Sequence, residues 1–381
     1  MIIFLIVFLT IYTSLNYYVF IRGWQVLSNY SYLKPYYTLL FIIVAYAYVA
    51  AKVFYKYLHP VIHDILIWVG SFWFAFLVYF ILSLLVVDIV RFVGFKFNLL
   101  PQMVKNNYEQ IKLITALIII IFVTVTIILG YINTRKISVT KLEIGVPNFP
   151  SSLSELNIAM VSDIHLSPIN DEKYLSGIVK QINELNPDII LMPGDIIDDR
   201  VEVLNRLNIG DAFKKLDSKY GVYASNGNHE FINEVESADQ FMVEKGINVL
   251  RDSTVLIANS FYIAAREDKS ITGFTGKTRK SLSSILANID KSLPVILLDH
   301  TPVQLEEAES NSISLQLSGH THHGQFFPGN IITNLIYEIS HGYLKKSNTH
   351  YFVSCGAGTW GPPVRNVSNS EIVQILVKFQ K

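Results

Sequence analysis

Four long apolar runs fill the first third of the chain and constrain its fold more than any other feature. They are Ile2–Ile21, Tyr36–Tyr55, Val61–Val87 and Leu113–Ile132. Each is long enough to cross the hydrocarbon core of a bilayer as a helix, which takes about 20 residues. The first run has no Lys or Arg before it and no small-residue cleavage pattern, so we expect a retained helix rather than a signal peptide. The sequence therefore predicts a transmembrane anchor of four helices over residues 1–133.

The segments that flank these runs indicate how the anchor is oriented. Phe92–Lys112 is less apolar, which predicts an interfacial amphipathic helix. His63 and Asp64 start the third run, and we expect them at the membrane interface. With four spans, the loops after runs one and three carry six Lys and Arg, against five on the other side. That difference favours a cytoplasmic position for the loops after runs one and three, which would leave the C-terminal domain outside the cytoplasm.

Residues 134–153 separate the anchor from a region of different composition. Charges, Pro147, Pro150 and a Ser pair occur there, so we expect a linker that leads to a domain over residues 154–381. From residue 141 onward there are 21 basic and 28 acidic residues, a balance that argues against a nucleic-acid partner. The single cysteine, Cys355, excludes an intramolecular disulfide and a Cys-rich zinc site. No obligate protein partner is evident from the sequence.

Beyond the linker, short apolar strands each end in a polar cluster. Leu156–Val161 precedes SDIH, Asp188–Met192 precedes PGD, Gly221–Ser225 precedes NGNHE, Pro294–Leu298 precedes DH, and Ser314–Leu317 precedes SGHTHHG. Helical patterns, Tyr174–Leu185 and Asp211–Leu216, alternate with the early strands, and Asn248–Ala264 and Glu371–Phe379 are rich in strand formers. This alternation predicts a layered α/β domain. Open α/β sheets gather their ligand sites at the carboxyl ends of strands, so five loops are expected to meet in one crevice.

The residue types in these loops are those of a metal site without thiolates. Asp163 and His165 are two residues apart, as are His320 and His322, and in extended backbone each pair would share one face, with His323 pointing away. Asp195 and Asn228 each follow a glycine, and His300 ends a strand. Carboxylate and imidazole ligands suit Mn²⁺, Fe or Zn²⁺. A lone D-x-H or G-D pair is weak, but five such clusters in order at strand ends are a strong signal.

The ordered motifs resemble those of the calcineurin-like metallophosphoesterases. The matching positions are Asp163-Ile164-His165, Gly194-Asp195, Gly227-Asn228-His229-Glu230, His300 and Gly319-His320-Thr321-His322, and the resemblance covers Leu156–Val377. The stretches LLDHTP, GHTHHGQ and CGAGTWGPPVR look like the membrane-anchored YkuE-type branch and like animal transmembrane proteins with a metallophosphoesterase domain. The family usually has a glycine where His323 stands.

The resemblance implies a β-sandwich of two sheets flanked by helices, with two divalent metal ions in its cleft. One ion would take Asp163, His165, Asp195 and His322, and the second would take Asp195, Asn228, His300 and His320. His229 would be a catalytic residue near the leaving group and no ligand, while Asp195 would bridge the ions. The implied activity is hydrolysis of a phosphomonoester or phosphodiester by a hydroxide that the metals activate.

Several residues outside the ligand motifs are weaker candidates for binding substrate. They are Arg266, Lys277, Arg279, Trp360 and Arg365. A solvated surface loop is the favoured explanation of Lys277, Arg279 and Lys280, and Trp360 could serve packing alone. Glu230 is expected to support the site by a hydrogen bond to a ligand.

The leading hypothesis is a membrane-bound phosphoesterase that acts on lipid, lipid-linked or cell-envelope phosphoesters. One alternative is an inactive, membrane-tethered binding or regulatory module, which predicts missing ligands. A second alternative is that the helices form a transporter or sensor and that the domain regulates it. The apolar runs contain no evident buried charge pair, which argues against a substrate pathway through them.

Overall fold

The structure, a computed structural model, describes residues 2–147 and 153–380. The chain divides into two compact units, one of Met1–Tyr131 with Gly361–Val364 and one of Ile132–Trp360 with Arg365–Lys381. Residues 148–152 of the expected linker lie outside the described residues.

Helices in the first part of the chain cover all four apolar runs. They are α1 (Ile2–Val26), α2 (Lys34–Val53), α3 (Pro60–Lys96), α4 (Gln102–Asn106) and α5 (Tyr108–Thr134), with short 3-10 helices at Leu27–Asn29 and Ser31–Leu33. Within the described residues, three segments are long and apolar enough to cross a membrane: Ser31–Val53, Pro60–Lys96 and Tyr108–Thr134. The predicted number of four spans is therefore approximate. The expected amphipathic helix Phe92–Lys112 is instead divided among the end of α3, α4 and the start of α5.

One ion pair among these helices was not visible in the sequence. Arg22 of α1 pairs with Asp88 of α3, and about one quarter of each side chain is exposed. Tyr18 donates a second hydrogen bond to Asp88, with 2.7 Å between the oxygens. Folding joins these two charges, which are 66 positions apart, but both lie just outside the predicted apolar runs and are only partly buried, so the pair does not bear on the expectation for the runs themselves. His63 is buried in the first turn of α3, beside Asp64.

The second unit contains two six-stranded mixed sheets, as the predicted α/β fold class requires. The first sheet has the order β1-β12-β2-β3-β4-β5 and the second β10-β11-β9-β8-β7-β6. The strands are β1 (Ile137–Pro147), β2 (Glu155–Met160), β3 (Ile189–Pro193), β4 (Val222–Ser225), β5 (Asn248–Val249), β6 (Ser253–Ile257), β7 (Phe261–Ala265), β8 (Val295–Leu298), β9 (Leu315–Ser318), β10 (Gly342–Lys346), β11 (Thr349–Val353) and β12 (Ser370–Gln380). The predicted strand region Asn248–Ala264 is three strands, because turns at 250–252 and 258–260 interrupt it.

Eight further helices lie among the described residues of the second unit, and several of them pack on the outer faces of the sheets. They are α6 (Glu172–Glu184), α7 (Val201–Arg206), α8 (Asn228–Ile232), α9 (Val235–Glu244), α10 (Ile271–Thr275), α11 (Leu282–Ile285), α12 (Leu305–Ser310) and α13 (Gly329–Ile336), with 3-10 helices at Asp211–Lys215 and His322–Gly324. Ile158 and Leu191 of the first sheet join Ile263 and Leu317 of the second in one core between the sheets. A second core lies between the first sheet and α6, α7 and α9. The sandwich of two sheets flanked by helices agrees with the expected architecture.

Strand β1 occupies most of the segment that was expected to be a linker. It pairs in parallel with β12 from Ile137 to Pro147, so it belongs to the first sheet. Its residues alternate between apolar and polar side chains, for example Leu142, Glu143 and Ile144, which is the pattern of a half-buried strand. Only residues 135 and 136 separate the end of α5 from this strand.

Candidate metal centre

The predicted ligands all lie shortly after the ends of strands. Asp163 and His165 follow β2, Asp195 follows β3, and His300 follows β8. Asn228 and His229 begin α8 just beyond β4, and His320 and His322 follow β9. Strands β2, β3 and β4 run parallel to one another, as do β8 and β9, so within each sheet these loops leave from the same edge.

One group of ligand atoms comes from Asp163, His165 and His322, which are all buried. The two Nε2 atoms of His165 and His322 lie 2.9 Å apart. His322 Nε2 is 3.4 Å from Asp163 Oδ1, and His165 Nε2 is 4.0 Å from the same oxygen. These three side chains therefore direct donor atoms at one small volume.

A second group comes from Asp195, His300 and His320. His300 Nε2 lies 3.1 Å from Asp195 Oδ2, and His320 Nδ1 lies 2.8 Å from Asn228 Oδ1. Asp195 Oδ2 is also 3.8 Å from His165 Nε2 in the first group. Asp195 is therefore placed between the two groups, where a bridging ligand would have to be.

The donor atoms are better arranged to bind divalent cations than to form hydrogen bonds with one another. Asp163 Oδ2 is buried without a hydrogen-bond partner, which is costly unless something else satisfies it, and His300 Nε2 faces Asp195 Oδ2 at 3.1 Å without the geometry of a hydrogen bond. Two facing imidazole Nε2 atoms can share at most one proton, whereas a cation can accept both lone pairs. The set is carboxylate, imidazole and amide without thiolate, which is the donor chemistry of Mn²⁺, Fe and Zn²⁺ sites.

A cavity of about 520 Å³ opens beside both groups. Its described lining includes His165, Asp195, Asn228, His229 and His320 but no Lys or Arg. A phosphate that entered this cavity would meet histidines and a carboxylate but no Lys or Arg side chain, so metal ions are well suited to balance most of its charge. The same cavity has apolar walls, formed in part by Ile232, Phe326, Ile332 and Trp360.

The backbone at the candidate ligands is not extended, contrary to the geometry expected for D-x-H and H-x-H. The following ligand positions have positive φ: Asp163 (51°), His165 (50°), Asp195 (52°), His320 (70°) and His322 (47°). Left-handed turns, rather than strand alternation, direct Asp163 and His165 to one donor group, and they direct His320 and His322 to two different groups. Non-glycine residues in this region cost on the order of 1–3 kcal/mol each, so the surrounding fold must stabilise them.

Close approach of the loops depends on glycine at position 227. A Cβ atom there would lie 2.2 Å from Asp195 Oδ1 and 2.6 Å from the Asp195 backbone nitrogen. Only a residue without a side chain lets the loop after β4 approach the loop after β3 so closely. The G-N-H-E motif thus brings Asn228 within reach of the site.

Burial and charge interactions favour the ligating form of some candidate ligands and the protonated form of others. Burial raises the pKa of Asp163, and although burial opposes protonation of His300, Asp195 raises the pKa of His300 well above its ordinary value. Burial opposes ionisation of Asp195, but His300 and His229 hold its pKa well below the ordinary range of a carboxyl group. Burial, together with His165 and Arg365, holds the pKa of His322 well below its ordinary value, which keeps the imidazole neutral. Burial and His300 lower the pKa of His320 to about 4. Ionised carboxylates and neutral imidazoles are the forms that bind metal ions.

Asp198 is a functional candidate that the sequence did not single out. Its Oδ1 atom lies 2.5 Å from His229 Nδ1 and 3.4 Å from His165 Nδ1, so one carboxylate contacts two site histidines. Burial disfavours the protonated form of His229, but Asp195 and Asp198 raise its pKa to about 9. The signal in the sequence is the run GDIIDD, in which Asp198 follows Asp195 by three residues.

Replacing Asp198 by asparagine should lower activity or metal affinity by about 10–100-fold, the usual effect of losing a carboxylate that orients a site histidine. Steady-state kinetics and metal analysis of the purified variant would measure this. Asp211→Asn is a matched control, since Asp211 is an exposed carboxylate whose ion pairs among the described residues are with Lys214 and Lys245. Equal activity of the two variants would contradict a positioning role for Asp198.

Glu230 supports the site through backbone groups. Its carboxylate accepts hydrogen bonds from the N–H groups of Asp195, Ile196, Ile197 and Gly227. Its hydrogen bond to Asp195, a predicted ligand, is made to the main chain of that residue. These four bonds stabilise the turn that directs Asp195 into the site.

The structure places only one of the five predicted substrate residues at the cavity. Trp360 lines it, is 56% exposed, and has its ring centroid 6.4 Å from that of His229. Lys277 is exposed but is not among the residues that line the cavity. Arg266 and Arg279 are occupied by ion pairs with Asp299, and Arg266 also pairs with Glu307.

Arg365 does not fit the expected contact with substrate because it is fully buried. Its Nη2 atom donates to the carbonyls of Cys355 and Gly358, both at 2.6 Å, and lies 3.0 Å from His322 Nδ1. It therefore packs behind the metal-ligand candidate His322. The sequence could not distinguish contact with substrate from burial behind His322, because an arginine in a Gly/Pro-rich loop is compatible with both.

His323 faces away from both ligand groups. Its Nδ1 atom lies 2.9 Å from Ser340 Oγ, and its ring centroid is 5.5 Å from that of His341. It belongs to none of the candidate ligand groups among the described residues. Strand alternation was expected to point the side chains of His322 and His323 in different directions. In the structure, both residues have a left-handed backbone, and this conformation separates the two side chains instead.

Comparison with known proteins identifies a family for this domain. The family model described as calcineurin-like phosphoesterase matches residues 156–324. A protein of Danio rerio named transmembrane protein with metallophosphoesterase domain is 32% identical over 274 residues, which cover 68% of this chain and 62% of that protein. An uncharacterized metallophosphoesterase of Aquifex aeolicus is 30% identical over 259 residues, or 67% of this chain and 98% of that protein.

The YkuE protein of Bacillus subtilis, also named an uncharacterized metallophosphoesterase, is 28% identical over 257 residues, covering 65% of this chain and 88% of that protein. The chain spans about six-tenths of the length of several of the relatives that it matches.

Proposed function

The chain belongs to the calcineurin-like metallophosphoesterase family, and on this basis we propose that it is a membrane-bound phosphoesterase that uses two divalent metal ions. The observation that carries the proposal is the pair of donor groups that share Asp195 beside one cavity. One ion would be held by Asp163, His165, Asp195 and His322. The other would be held by Asp195, Asn228, His300 and His320.

Two divalent cations in these positions would supply Lewis acidity toward the phosphoryl oxygens and would acidify a water molecule for attack on phosphorus. The chain's own residues bind and orient these groups. Asp198 and Glu230 hold His165, His229 and Asp195 in place through the contacts described above. Buried Asp195 is kept ionised by its histidine neighbours, so it can serve both ions.

His229 is proposed as the group that gives a proton to the leaving oxygen. Its Nδ1 atom is occupied by Asp198, which leaves Nε2 as the nitrogen available for transfer. The residue lines the cavity and, with a pKa raised to about 9 by Asp195 and Asp198 against the opposing effect of burial, carries a proton at neutral pH. A positioned, protonated imidazole is the usual general acid for a departing alkoxide.

The substrate that we propose is a phosphoester in a lipid or lipid-linked head group. Two features support this choice: the apolar walls of the cavity and the helices long enough to cross a membrane. A single span already anchors a protein essentially irreversibly, so a soluble substrate would not require several. A soluble or cell-envelope phosphoester is the competing substrate.

The test uses the full-length protein in phospholipid vesicles with Mn²⁺, a lipid phosphoester and a soluble chromogenic phosphodiester. The proposal expects a higher kcat/KM for the lipid phosphoester, since the enzyme and this substrate share the membrane surface. A higher kcat/KM for the soluble ester would contradict the lipid substrate. Absence of hydrolysis with every ester and every divalent ion would favour an inactive binding module, although each ligand position is filled by a suitable residue.

We further propose that the catalytic domain lies outside the cytoplasm, as the distribution of Lys and Arg in the loops favours. Lys180 has 78% of its side chain exposed, so a cysteine there would be accessible, whereas Cys355 is buried. Lys180→Cys should react with a membrane-impermeant maleimide in intact cells. Reaction only after the cells are opened would place the domain in the cytoplasm.

A further inference from the structure

Helix α13 presents a surface that its own domain leaves uncovered. None of its eight residues is buried. Four large aliphatic side chains lie along one side of it, at spacings of one and four residues: Ile331 (48% exposed), Ile332 (53%), Leu335 (82%) and Ile336 (66%). We refer to these four residues as the rim face. Phe327, just before the helix, is also 46% exposed.

The rim face is continuous with the mouth of the cavity. Ile332 is part of both, since it lines the cavity together with Phe326 and Trp360. Trp360 is held in this position by Gln325, whose side chain donates to the Trp360 carbonyl and accepts from its N–H group, at 3.1 and 3.0 Å. An apolar surface therefore borders the opening through which a substrate must pass.

Helix α13 is fixed to the loop that carries the ligand candidates His320 and His322. Gly324 has φ of 69°, and a Cβ atom on it would lie 2.0 Å from the carbonyl carbon of Gly329. Farther along, the backbone carbonyl of Ser340 accepts a hydrogen bond from Thr321, and Ser340 Oγ lies 2.9 Å from His323 Nδ1. Because both ends of the segment 324–340 contact the ligand loop, the rim face has a defined position beside the metal centre.

The charge of this segment differs from that of the rest of the domain. From Gly319 to Tyr337 the chain contains no Lys, Arg, Asp or Glu. The region from residue 141 onward otherwise carries 49 such residues. Exposed aliphatic side chains without neighbouring formal charges on the same segment are suited to the acyl region of a bilayer, where a charge would be costly.

The chain also keeps the domain at a membrane surface. Helix α5, one of the segments able to cross a membrane, ends at Thr134, and strand β1 begins at Ile137. Two connecting residues extend at most about 7 Å. A bilayer that contains α5 is therefore always within reach of this domain, whereas a soluble partner would have to be recruited.

We infer that the rim face inserts into the lipid bilayer that holds the chain's own helices, and that it places the cavity mouth at the boundary between head groups and acyl chains. A phosphoester head group then enters the cavity while its acyl chains remain in the membrane. This consequence for the substrate rests on the proposed function, but insertion of the rim face does not.

The first experiment measures insertion without using activity. Leu335→Cys in the full-length chain is labelled with an environment-sensitive fluorophore and placed in phosphatidylcholine vesicles that carry nitroxide on the acyl chains. Val243→Cys is the matched control, because Val243 is 59% exposed on α9 of the same domain. Cys355 is 2% exposed, and the wild-type chain shows whether it takes up label.

We expect the nitroxide lipid to quench most of the fluorescence at position 335 and little at position 243. Equal quenching at the two positions, or none at position 335, would overturn the inference. Quenching at position 335 that depends on a second labelled copy of the chain, and not on the nitroxide lipid, would assign the rim face to self-association and would also overturn it.

The second experiment connects the rim face to substrate. Leu335→Ser should raise the KM for a lipid phosphoester by roughly tenfold, the effect of losing one buried leucine, and leave the KM for a soluble chromogenic ester unchanged. Equal changes for both substrates would contradict the role of the rim face in substrate access. If no ester is hydrolysed at all, the proposed function fails, while the quenching result still decides whether the rim face inserts.

Discussion

Replacing Asp195 by asparagine should remove at least one metal ion and lower kcat/KM by about 10³-fold or more. Asp195 Oδ2 lies 3.8 Å from His165 Nε2 in the first donor group and 3.1 Å from His300 Nε2 in the second, so its loss should affect both ions. Metal ions supply several kcal/mol of transition-state stabilisation, and about 1.4 kcal/mol corresponds to a factor of ten. Metal content per chain and steady-state kinetics would be measured on the same preparation.

The control for this variant is His323→Gly. His323 lies in the same histidine-rich loop as His320 and His322 but faces Ser340, and its φ of 48° is readily adopted by glycine. The His323→Gly variant should keep both metal ions and its activity. The account of the site would be wrong if His323→Gly lost metal, or if Asp195→Asn retained two ions with normal turnover.

Replacing His229 by alanine should slow turnover by roughly 10²–10⁴-fold, the usual contribution of general acid catalysis, while both metal ions remain bound. The effect should be largest for substrates with poor leaving groups, because a good leaving group departs without a proton. His229 stands beside Asp195 and His165, so its assignment as an acid rather than a ligand depends on the bond from Nδ1 to Asp198.

Kinetics with a series of aryl phosphoesters of different leaving-group pKa would separate the two roles of His229. If His229 is a general acid, the rate of the His229→Ala variant should depend more steeply on leaving-group pKa than the rate of the wild-type enzyme does. Loss of metal from His229→Ala, to the extent seen in Asp195→Asn, would identify His229 as a ligand instead.

The strand-end positions of the candidate ligands could be predicted because local sequence determines them. Each ligand motif follows a short apolar segment, and β2, β3, β4, β8 and β9 lie within a residue or two of their predicted positions. The resemblance to the metallophosphoesterase family rested on the same motifs and is confirmed by the family match over residues 156–324. Apolar periodicity and turn residues carry this information without tertiary contacts.

Features that depend on distant contacts could not be predicted. The left-handed backbone of Asp163, His165 and Asp195 is imposed by the packing of loops, so the assumption of extended pairs gave the wrong local geometry. Asp198 acquires its role only where the loop after β3 meets His229, 31 positions later. The ion pairs of Arg266 and Arg279 with Asp299 likewise form only in the folded chain.

Strand β1 was missed for a different reason. Its sequence ISVTKLEIGVP alternates between apolar and polar side chains, but it follows a membrane-length helix and precedes Pro150, which favoured a linker. Its parallel pairing with β12, from the other end of the domain, stabilises it as an edge strand. The rim face of α13 was not recognised because four aliphatic residues in eight are also typical of a helix packed against a core.

The central claim is that two divalent ions held by this donor set are required for phosphoester hydrolysis. The most direct measurement is metal content by mass spectrometry, made together with hydrolysis of a chromogenic phosphodiester, on full-length protein before chelation, after chelation and after addition of Mn²⁺. The account predicts two ions per chain, loss of activity with the ions, and recovery when about two equivalents are restored. Undiminished hydrolysis by protein stripped of metal would contradict it.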